Sequence, residues 1–242
     1  MQALETFLFI VLPYIAMVVF FVGTIYRYRV TKFKYSTLSS GFLEKRTLFW
    51  GSMPFHWGLL FLFFGHLAAF LIPSGVLAWN SEPVRLLVLE VTALVFGLSV
   101  LWGLVMLIVR RFASSRIRSV TSPMDIVIIS LLLAQTILGL WSAVNFRWGS
   151  SWFAASITPY LRSILILQPE PGAIVALPLS MKLHIVGAYL IVLLIPFTRL
   201  VHLLVVPVHY LWRPYQRVIW NWKKEAIRDP KTGWTVTRPK NT

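Results

Sequence analysis

The histidines of this chain have a spacing that could hold metal cofactors. Four of the five lie in two apolar stretches, and each stretch carries two of them: His56 with His66, and His184 with His202. An imidazole is costly to bury in an apolar environment unless a metal or a hydrogen bond satisfies it. Two helices with two histidines each, at two depths, could hold two redox cofactors stacked across a membrane. Such a chain would conduct electrons.

The composition predicts a helical membrane protein. The chain has 242 residues, of which 57% are hydrophobic and 13% are charged, and its mean hydropathy is +0.74. Its apolar runs are long enough to cross a bilayer as helices and lack the alternation of a membrane β-barrel. The absence of cysteine excludes disulfides, iron–sulfur clusters and covalently attached haem. We predict an all-α, polytopic bundle of five transmembrane helices, over roughly residues 7–26, 49–72, 86–109, 126–146 and 181–206.

The basic residues predict the orientation of this bundle. All but four of the 23 lysines and arginines fall on one side of the predicted spans; the exceptions are Arg85, Arg147, Arg162 and Lys182. By the positive-inside rule the N-terminus lies outside and the C-terminus in the cytoplasm. The net charge of +15 then reflects topology and anionic lipid rather than nucleic-acid binding. We predict a transmembrane domain over residues 1–212 and a basic cytoplasmic tail over 213–242.

Depth in the membrane pairs the histidines across the two helices. It places His66 with His184 near the outer face and His56 with His202 near the cytoplasm. The spacings of 10 and 18 residues correspond to rises of about 15 Å and about 27 Å in an α-helix. We therefore expect the helices to tilt or the ligating side chains to reach up and down. Eighteen residues, at about 100° each, return to the same helix face. Two opposed imidazoles at each level suit haem iron better than zinc, which prefers four ligands.

Small and basic residues near the histidines could contact these haems. The glycines are Gly58, Gly65 and Gly187, which could admit a flat macrocycle or could serve helix packing. The arginines are Arg199, three residues before His202, and Arg110 and Arg111, at the end of the third span. Each could neutralise haem propionates or could anchor the basic side of the bundle.

Two further features have predicted interfacial positions. His209 follows Pro207 near the cytoplasmic end and has no partner at its depth. The loop over residues 147–180 is aromatic and apolar, and we expect it to lie on the membrane interface as a short amphipathic element.

Several strings in the chain resemble those of a known family. Both ligand-bearing stretches do so: PFHWGLLFLFFGH at residues 54–66 and KLHIVGAYLIVLLIPFTRLVH at 182–202. The opening FLFIVLPYIAMVVFFVG, the loop RYRVTKFKYSTLSS and the string VPVHYLWRPYQ at 206–216 do so as well. Together they are similar to the gamma subunit, the di-haem cytochrome b, of respiratory nitrate reductase, over residues 1 to about 217.

The resemblance implies a cofactor set, a reaction and partners. Two haem b groups would be held by His66 and His184 on the outer side and by His56 and His202 on the inner side. Quinol, either menaquinol or ubiquinol, would be oxidised near the outer haem and release its protons outside. Electrons would pass to an iron–sulfur beta subunit and then to a molybdenum alpha subunit that reduces nitrate. Both partners would lie on the cytoplasmic face of a prokaryotic membrane.

The resemblance also implies a quinol pocket. In the family it includes the residues matching Gly65 and His66, and a basic residue at the start of the third span. That residue is usually lysine in the family and is Arg85 here; arginine keeps the charge but cannot act as a base. To this pocket we add Glu90, whose carboxylate could take a quinol proton. The alternative for Glu90 is an ion pair with Arg85.

Three other functions fit parts of the pattern. The same module could serve another cytoplasmic oxidoreductase, for example one acting on sulfur compounds. It could also run in reverse and send electrons from nitrite oxidation to quinone. A proton-coupled transporter with a histidine relay belongs to a different class, but it should show internal repeats and broken helices facing each other. The sequence shows no convincing repeat.

Overall fold

The computed structural model describes residues 2–31 and 43–205; His209 and the predicted tail over 213–242 lie outside this part of the chain. The described residues form helices and no strands. Five helices are long and apolar enough to cross a membrane, as predicted, and we call them the first to fifth spanning helices: Ala3–Thr31, Arg46–Leu71, Pro83–Ala113, Pro123–Asn145 and Leu179–Phe197.

Most of the surface of each spanning helix faces outward and is apolar. At most 22% of the residues in any spanning window are buried. The exposed side chains are large hydrophobic ones, such as Phe63, Val95 and Trp102. So much contiguous apolar surface is not tolerated in water, but it is what a hydrocarbon environment requires. Together with the five spans, it identifies a multi-pass membrane protein.

Local sequence sets several helix ends. The fourth spanning helix begins with a capping box, in which the Ser122 hydroxyl accepts from the Asp125 amide at 3.2 Å and the Asp125 carboxylate accepts from the Ser122 amide at 3.0 Å. Pro13 and Pro54 lie inside helices without ending them, as lipid-exposed helices allow. A π-helical stretch over Phe7–Val11 precedes Pro13.

The fifth spanning helix differs from the prediction of one α-helix over residues 181–206. The α-helix covers Leu179–Leu194 and is followed by a 3-10 turn over Ile195–Phe197. Thr198 is extended, with φ −117° and ψ 177°, and a second 3-10 turn covers Arg199–Leu203. Pro196 cannot donate a backbone hydrogen bond, which weakens the helix at this point. The expectation that His184 and His202 share one face of a continuous helix is therefore wrong.

Small residues bring the second and third spanning helices into close contact. A methyl group on Gly103 would lie 2.6 Å from the Gly51 carbonyl oxygen, and one on Gly58 would lie 2.7 Å from the Phe96 carbonyl oxygen. Backbones can approach this closely only where side chains are absent. The fifth helix packs mainly on the fourth and the first. Within the described residues the second and fifth helices, which carry the histidines, are not an extensively packed pair.

The loop between the fourth and fifth spanning helices consists of several short helices, of which Thr158–Leu165 is amphipathic, as predicted for part of this loop. It contains short helices over Gly149–Trp152, Thr158–Leu165 and Gly172–Val175, with a π-helical stretch over Phe153–Ile157. Its buried residues pack around Phe9 of the first helix in one cluster: Ile157, Tyr160, Ile164 and Ile174. Within this cluster the Tyr160 hydroxyl donates to the Phe9 carbonyl at 2.7 Å. Burial raises the pKa of Tyr160 to about 12, so it stays a neutral donor.

Candidate functional site

The structure brings His56 of the second helix and His202, just after the fifth helix, close together. The ring centroids of His56 and His202 are 6.0 Å apart, with an angle of 63° between the rings. His56 and His66 lie on the second helix, His184 on the fifth, and His202 on the 3-10 turn that follows it. His56 and His202 form one of the two pairs that depth alone predicts.

Each of the four imidazoles uses its Nδ1 atom in the same way. The Nδ1 atoms lie 2.6 to 3.0 Å from backbone carbonyl oxygens. Their partners are Ser52 for His56, Leu62 for His66, Gln135 for His184 and Arg199 for His202. Because a carbonyl oxygen can only accept, each Nδ1 carries the proton. The Nε2 atom is then left with a lone pair, which is the arrangement of metal-ligating histidines.

The surroundings of the four rings differ. His56, His66 and His202 are exposed within the described chain, whereas His184 is partly buried between the fourth and fifth helices. The ring of Phe153 packs edge-on against His66, with centroids 5.1 Å apart. In the described residues no group of three or more His, Cys, Asp or Glu side chains is placed to hold a metal ion.

The glycines near the histidines have different roles. Gly58 packs against the third helix, and a methyl group on Gly187 would collide with the Gln135 side chain. By contrast, a methyl group on Gly65 would meet nothing within 4 Å. Gly139 was not predicted as a site residue, but a methyl group there would lie 2.9 Å from Cε1 of His184. Of these four glycines, only Gly65 leaves open space beside a histidine.

The three predicted arginines bind protein carboxylates. Arg110 is buried, and its Nε donates to Glu44 at 2.9 Å. Arg199 donates to both carboxylate oxygens of Asp125, through Nε to Oδ1 and through Nη2 to Oδ2. Arg111 also donates to Asp125, at 3.2 Å. The buried Asp125 therefore links the end of the third helix, the start of the fourth and the segment that carries His202.

Asp125 was not predicted as a site residue. The string Ser122-Pro123-Met124-Asp125 has the spacing of a capping box. This pattern indicates the start of a helix. Its two arginine partners are distant in sequence, and local patterns do not report such contacts.

Arg85 and Glu90 do not form the ion pair considered above. Arg85 is exposed, with its guanidinium carbon 5.4 Å from the centroid of the Trp79 ring. Oε1 of Glu90 accepts from the Ser150 amide at 2.9 Å and from the Ser150 hydroxyl at 2.7 Å. Asn80 donates to the hydroxyls of Ser150 and Ser151 at 2.9 Å each. Glu90 therefore anchors the loop that also places Phe153 against His66.

Comparison with known proteins gives the family. The profile of the family described as "Nitrate reductase gamma subunit" matches residues 5–221. The nitrate reductase gamma chain of Bacillus subtilis (strain 168) is 38% identical over 208 residues, which cover 85% of this chain and 93% of the relative. The respiratory nitrate reductase 2 gamma chain of Escherichia coli (strain K12) is 34% identical over 228 residues, covering 90% and 97%.

A third relative is a longer protein. The nitrate reductase-like protein NarX of Mycobacterium tuberculosis (strain ATCC 25618 / H37Rv) is 31% identical over 238 residues, which cover 93% of this chain but 35% of the relative. The match to the family profile and the near full-length gamma chains lead to one conclusion. The chain belongs to the nitrate reductase gamma subunit family and is a membrane subunit of an oxidoreductase complex.

Proposed function

We propose that this chain is the di-haem b, quinol-oxidising subunit of a respiratory nitrate reductase. It lies in a prokaryotic cytoplasmic membrane with its N-terminus outside and its C-terminus in the cytoplasm. The proposal rests on a hydrogen-bonding arrangement that the four histidines share. Each Nδ1 faces a backbone carbonyl, so that the Nε2 atoms of two histidine pairs remain for ligation.

The histidine pairs fit the ligand set of a b-type haem. Two imidazoles with unprotonated Nε2 atoms on neighbouring segments could hold one haem iron between them. The rings of His56 and His202, whose centres lie 6.0 Å apart, are such a pair. His56 and His202 would hold the inner haem, and His66 and His184 the outer haem. When bound, the two haems supply one-electron redox chemistry.

Two of the three arginines, Arg111 and Arg199, are proposed to bind haem, whereas Arg110 is not. Nε of Arg111 is buried without a hydrogen-bond partner, and Arg199 uses Nε and Nη2 on Asp125. Both arginines are candidates to bind a haem carboxylate, because guanidinium groups pair well with carboxylates. Arg110 binds both the carboxylate and the backbone carbonyl of Glu44, which favours a structural role.

Quinol oxidation is proposed to take place beside His66. Gly65 leaves room there, and Phe153 supplies an aromatic wall. Arg85 would hydrogen-bond a quinol oxygen, and Glu90 would receive a proton, since Ser150 occupies only its Oε1 atom. Oxidation of one quinol to quinone releases two protons and two electrons; the protons leave on the outer side.

The direction of electron movement follows from the proposed topology. Electrons cross from the outer side to an iron–sulfur beta subunit on the cytoplasmic face, and from there to a molybdenum alpha subunit that reduces nitrate. Moving each charge against the membrane potential stores about 2.3 kcal/mol per 100 mV. The gamma chain family supports nitrate as the acceptor rather than a sulfur compound.

Haem content and a ligand substitution test the proposal. The purified complex should show a b-type reduced-minus-oxidised spectrum with two haems per copy of this chain. His66→Ala should remove one haem and abolish quinol oxidation, whereas His209→Ala should retain both haems. A colourless complex, a single haem in the wild type, or full quinol-dependent activity of His66→Ala would refute the proposal.

A further inference from the structure

The segment that carries His202 is a short 3-10 turn rather than part of a regular α-helix. His56 and His66 donate to carbonyl groups one turn earlier in the same α-helix, where the backbone is already fixed. The partner of His202 is the carbonyl of Arg199, within a 3-10 turn that follows the extended Thr198. Short 3-10 turns have weaker hydrogen-bond geometry than α-helices. The orientation of His202 therefore depends on what holds Arg199.

Asp125 holds Arg199 from the fourth helix. Both oxygens of the carboxylate accept from the guanidinium, an arrangement that fixes direction as well as distance. Asp125 is 5% exposed and is itself held by Arg111 at 3.2 Å and by the Ser122 amide at 3.0 Å. A carboxylate with this many fixed donors is a rigid anchor.

A second anchor holds the chain where the fifth spanning helix is interrupted after Leu194. Arg27 of the first helix donates to the carbonyls of Pro196 and Thr198. These carbonyls lie where the regular helical hydrogen bonds are interrupted. The first and fourth helices thus hold the two sides of the break, and the Asp125 contact lies three residues from His202.

We propose that Asp125 is a positioning residue for His202. By clamping the side chain of Arg199 it fixes the carbonyl that accepts from Nδ1 of His202, and so sets the plane and the tautomer of that ring. This inference rests on the proposed function, because it takes His202 as a ligand of the inner haem. The hydrogen bond at the other nitrogen of a metal-ligating imidazole orients the ring and sets its basicity. The inner haem therefore depends on Asp125, and the outer haem does not.

Two conservative substitutions in the intact complex test this role. Asp125→Asn removes the charge and one acceptor oxygen, while Arg199→Lys keeps the charge but cannot make the two-point contact. Both variants should change the low-spin EPR g-values and raise the midpoint potential of one haem, because a weaker Nδ1 hydrogen bond makes His202 a poorer electron donor. The signal that disappears in His66→Ala identifies the outer haem, which should be unaltered. Loss of the inner haem alone would support the same conclusion.

A matched control and the opposing outcomes complete the experiment. Glu44→Gln breaks the other carboxylate–arginine pair, with Arg110, and should leave both haem signals unchanged. Unaltered EPR signals in Asp125→Asn and Arg199→Lys with two haems bound would overturn the inference. A change in Asp125→Asn without one in Arg199→Lys would show a charge effect rather than positioning and would also overturn it. Loss of both haems would overturn it too, because the outer haem would then depend on Asp125. A wild-type complex with fewer than two haems would instead refute the proposed function.

Discussion

His184 and Gln135 each donate to the backbone carbonyl of the other. Nδ1 of His184 lies 3.0 Å from the Gln135 carbonyl oxygen, and Nε2 of Gln135 lies 2.9 Å from the His184 carbonyl oxygen. This exchange joins the fourth and fifth helices and fixes the imidazole ring. His184 is therefore held by a neighbouring helix, whereas His56 and His66 are held by their own helix. A ring fixed in this way cannot turn aside without losing a hydrogen bond.

Because the His184 ring is held rigidly, we expect it not to make room for an added methyl group. In Gly139→Ala the new methyl group would lie 2.9 Å from Cε1 and 3.7 Å from Nε2 of His184. We expect a loss of about 1–3 kcal/mol of stability, typical of overpacking, and less than one outer haem per chain. Thermal unfolding and haem quantification measure both effects. Gly75→Ala is the control, because its methyl group would meet only Ile72, at 3.9 Å. A normal haem content in Gly139→Ala would contradict the prediction.

Much of the fold is predictable because each spanning helix is determined by one contiguous stretch of sequence. The four spans predicted to start at residues 7, 49, 86 and 126 all lie on observed helices, since their length and apolarity are visible in sequence. The break after Leu194 was missed because proline is tolerated inside membrane helices, as Pro13 and Pro54 demonstrate here. Whether Pro196 ends a helix depends on partners for the freed carbonyls. Arg27, 169 residues away from Pro196, supplies one.

The candidate site is predictable to a similar extent. Membrane depth predicts the pair His56 and His202, whose rings the structure brings together. The partners that hold them could not be inferred, because the contacts of Gln135 with His184 and of Asp125 with Arg199 join distant positions. A polar glutamine in the middle of an apolar span is a signal that could have pointed to the first of these contacts.

Arg85 should contribute to quinol oxidation without affecting haem binding. Its side chain is exposed beside Trp79, so its removal leaves no buried charge. A hydrogen bond to a charged group contributes about 1.5–3 kcal/mol, and Arg85→Ala should lower kcat/KM for quinol by about 10- to 100-fold. Arg85→Lys should retain most of the activity. Steady-state kinetics with a soluble quinol measure this.

The control for Arg85 is a second exposed arginine on the same predicted side. Arg147→Ala removes an equal charge from the chain, and we expect kcat/KM to stay at the wild-type value. Equal losses in the two variants would indicate general electrostatic attraction. Loss of haem in Arg85→Ala would indicate a structural role and contradict the prediction.

Glu44 should make stability depend on pH. Although burial opposes ionisation, hydrogen bonds from the Thr47 and Leu48 amides and from Arg110 hold the pKa of Glu44 below its ordinary value of 4.5. A carboxylate with a lowered folded-state pKa stabilises the fold above its unfolded-state pKa, and this contribution is lost as the pH falls through the folded-state pKa. Glu44→Gln should therefore destabilise the protein at pH 7, by about 1 kcal/mol, and less below pH of about 4.

Thermal unfolding of the detergent-solubilised complex at several pH values measures this dependence. Glu170→Gln is the control, because Glu170 is exposed; it should follow the wild-type curve. A constant difference between Glu44→Gln and wild type across the acidic range would contradict the prediction.

Glu90 has two proposed roles, as a proton acceptor and as an anchor of the loop. The exchange of one carboxylate oxygen for an amide nitrogen separates them. The Glu90→Gln variant keeps an oxygen that can accept from the Ser150 amide and hydroxyl, so the loop that places Phe153 against His66 should stay anchored. The amide cannot take a proton from quinol. We therefore expect normal haem content and thermal stability, but a fall in kcat of about 100-fold, the usual contribution of a general base.

Ser150→Ala and Glu82→Gln provide the comparison for Glu90. Ser150→Ala removes one of the two donors to Glu90 but leaves the amide donor, so kcat should be retained with a small loss of stability. Glu82→Gln changes an exposed acid just before the same helix and should leave both quantities unchanged. If Glu90→Gln turned over quinol at the wild-type rate, the carboxylate would serve only as a loop anchor. The proton would then have to leave quinol by way of water or another side chain near His66.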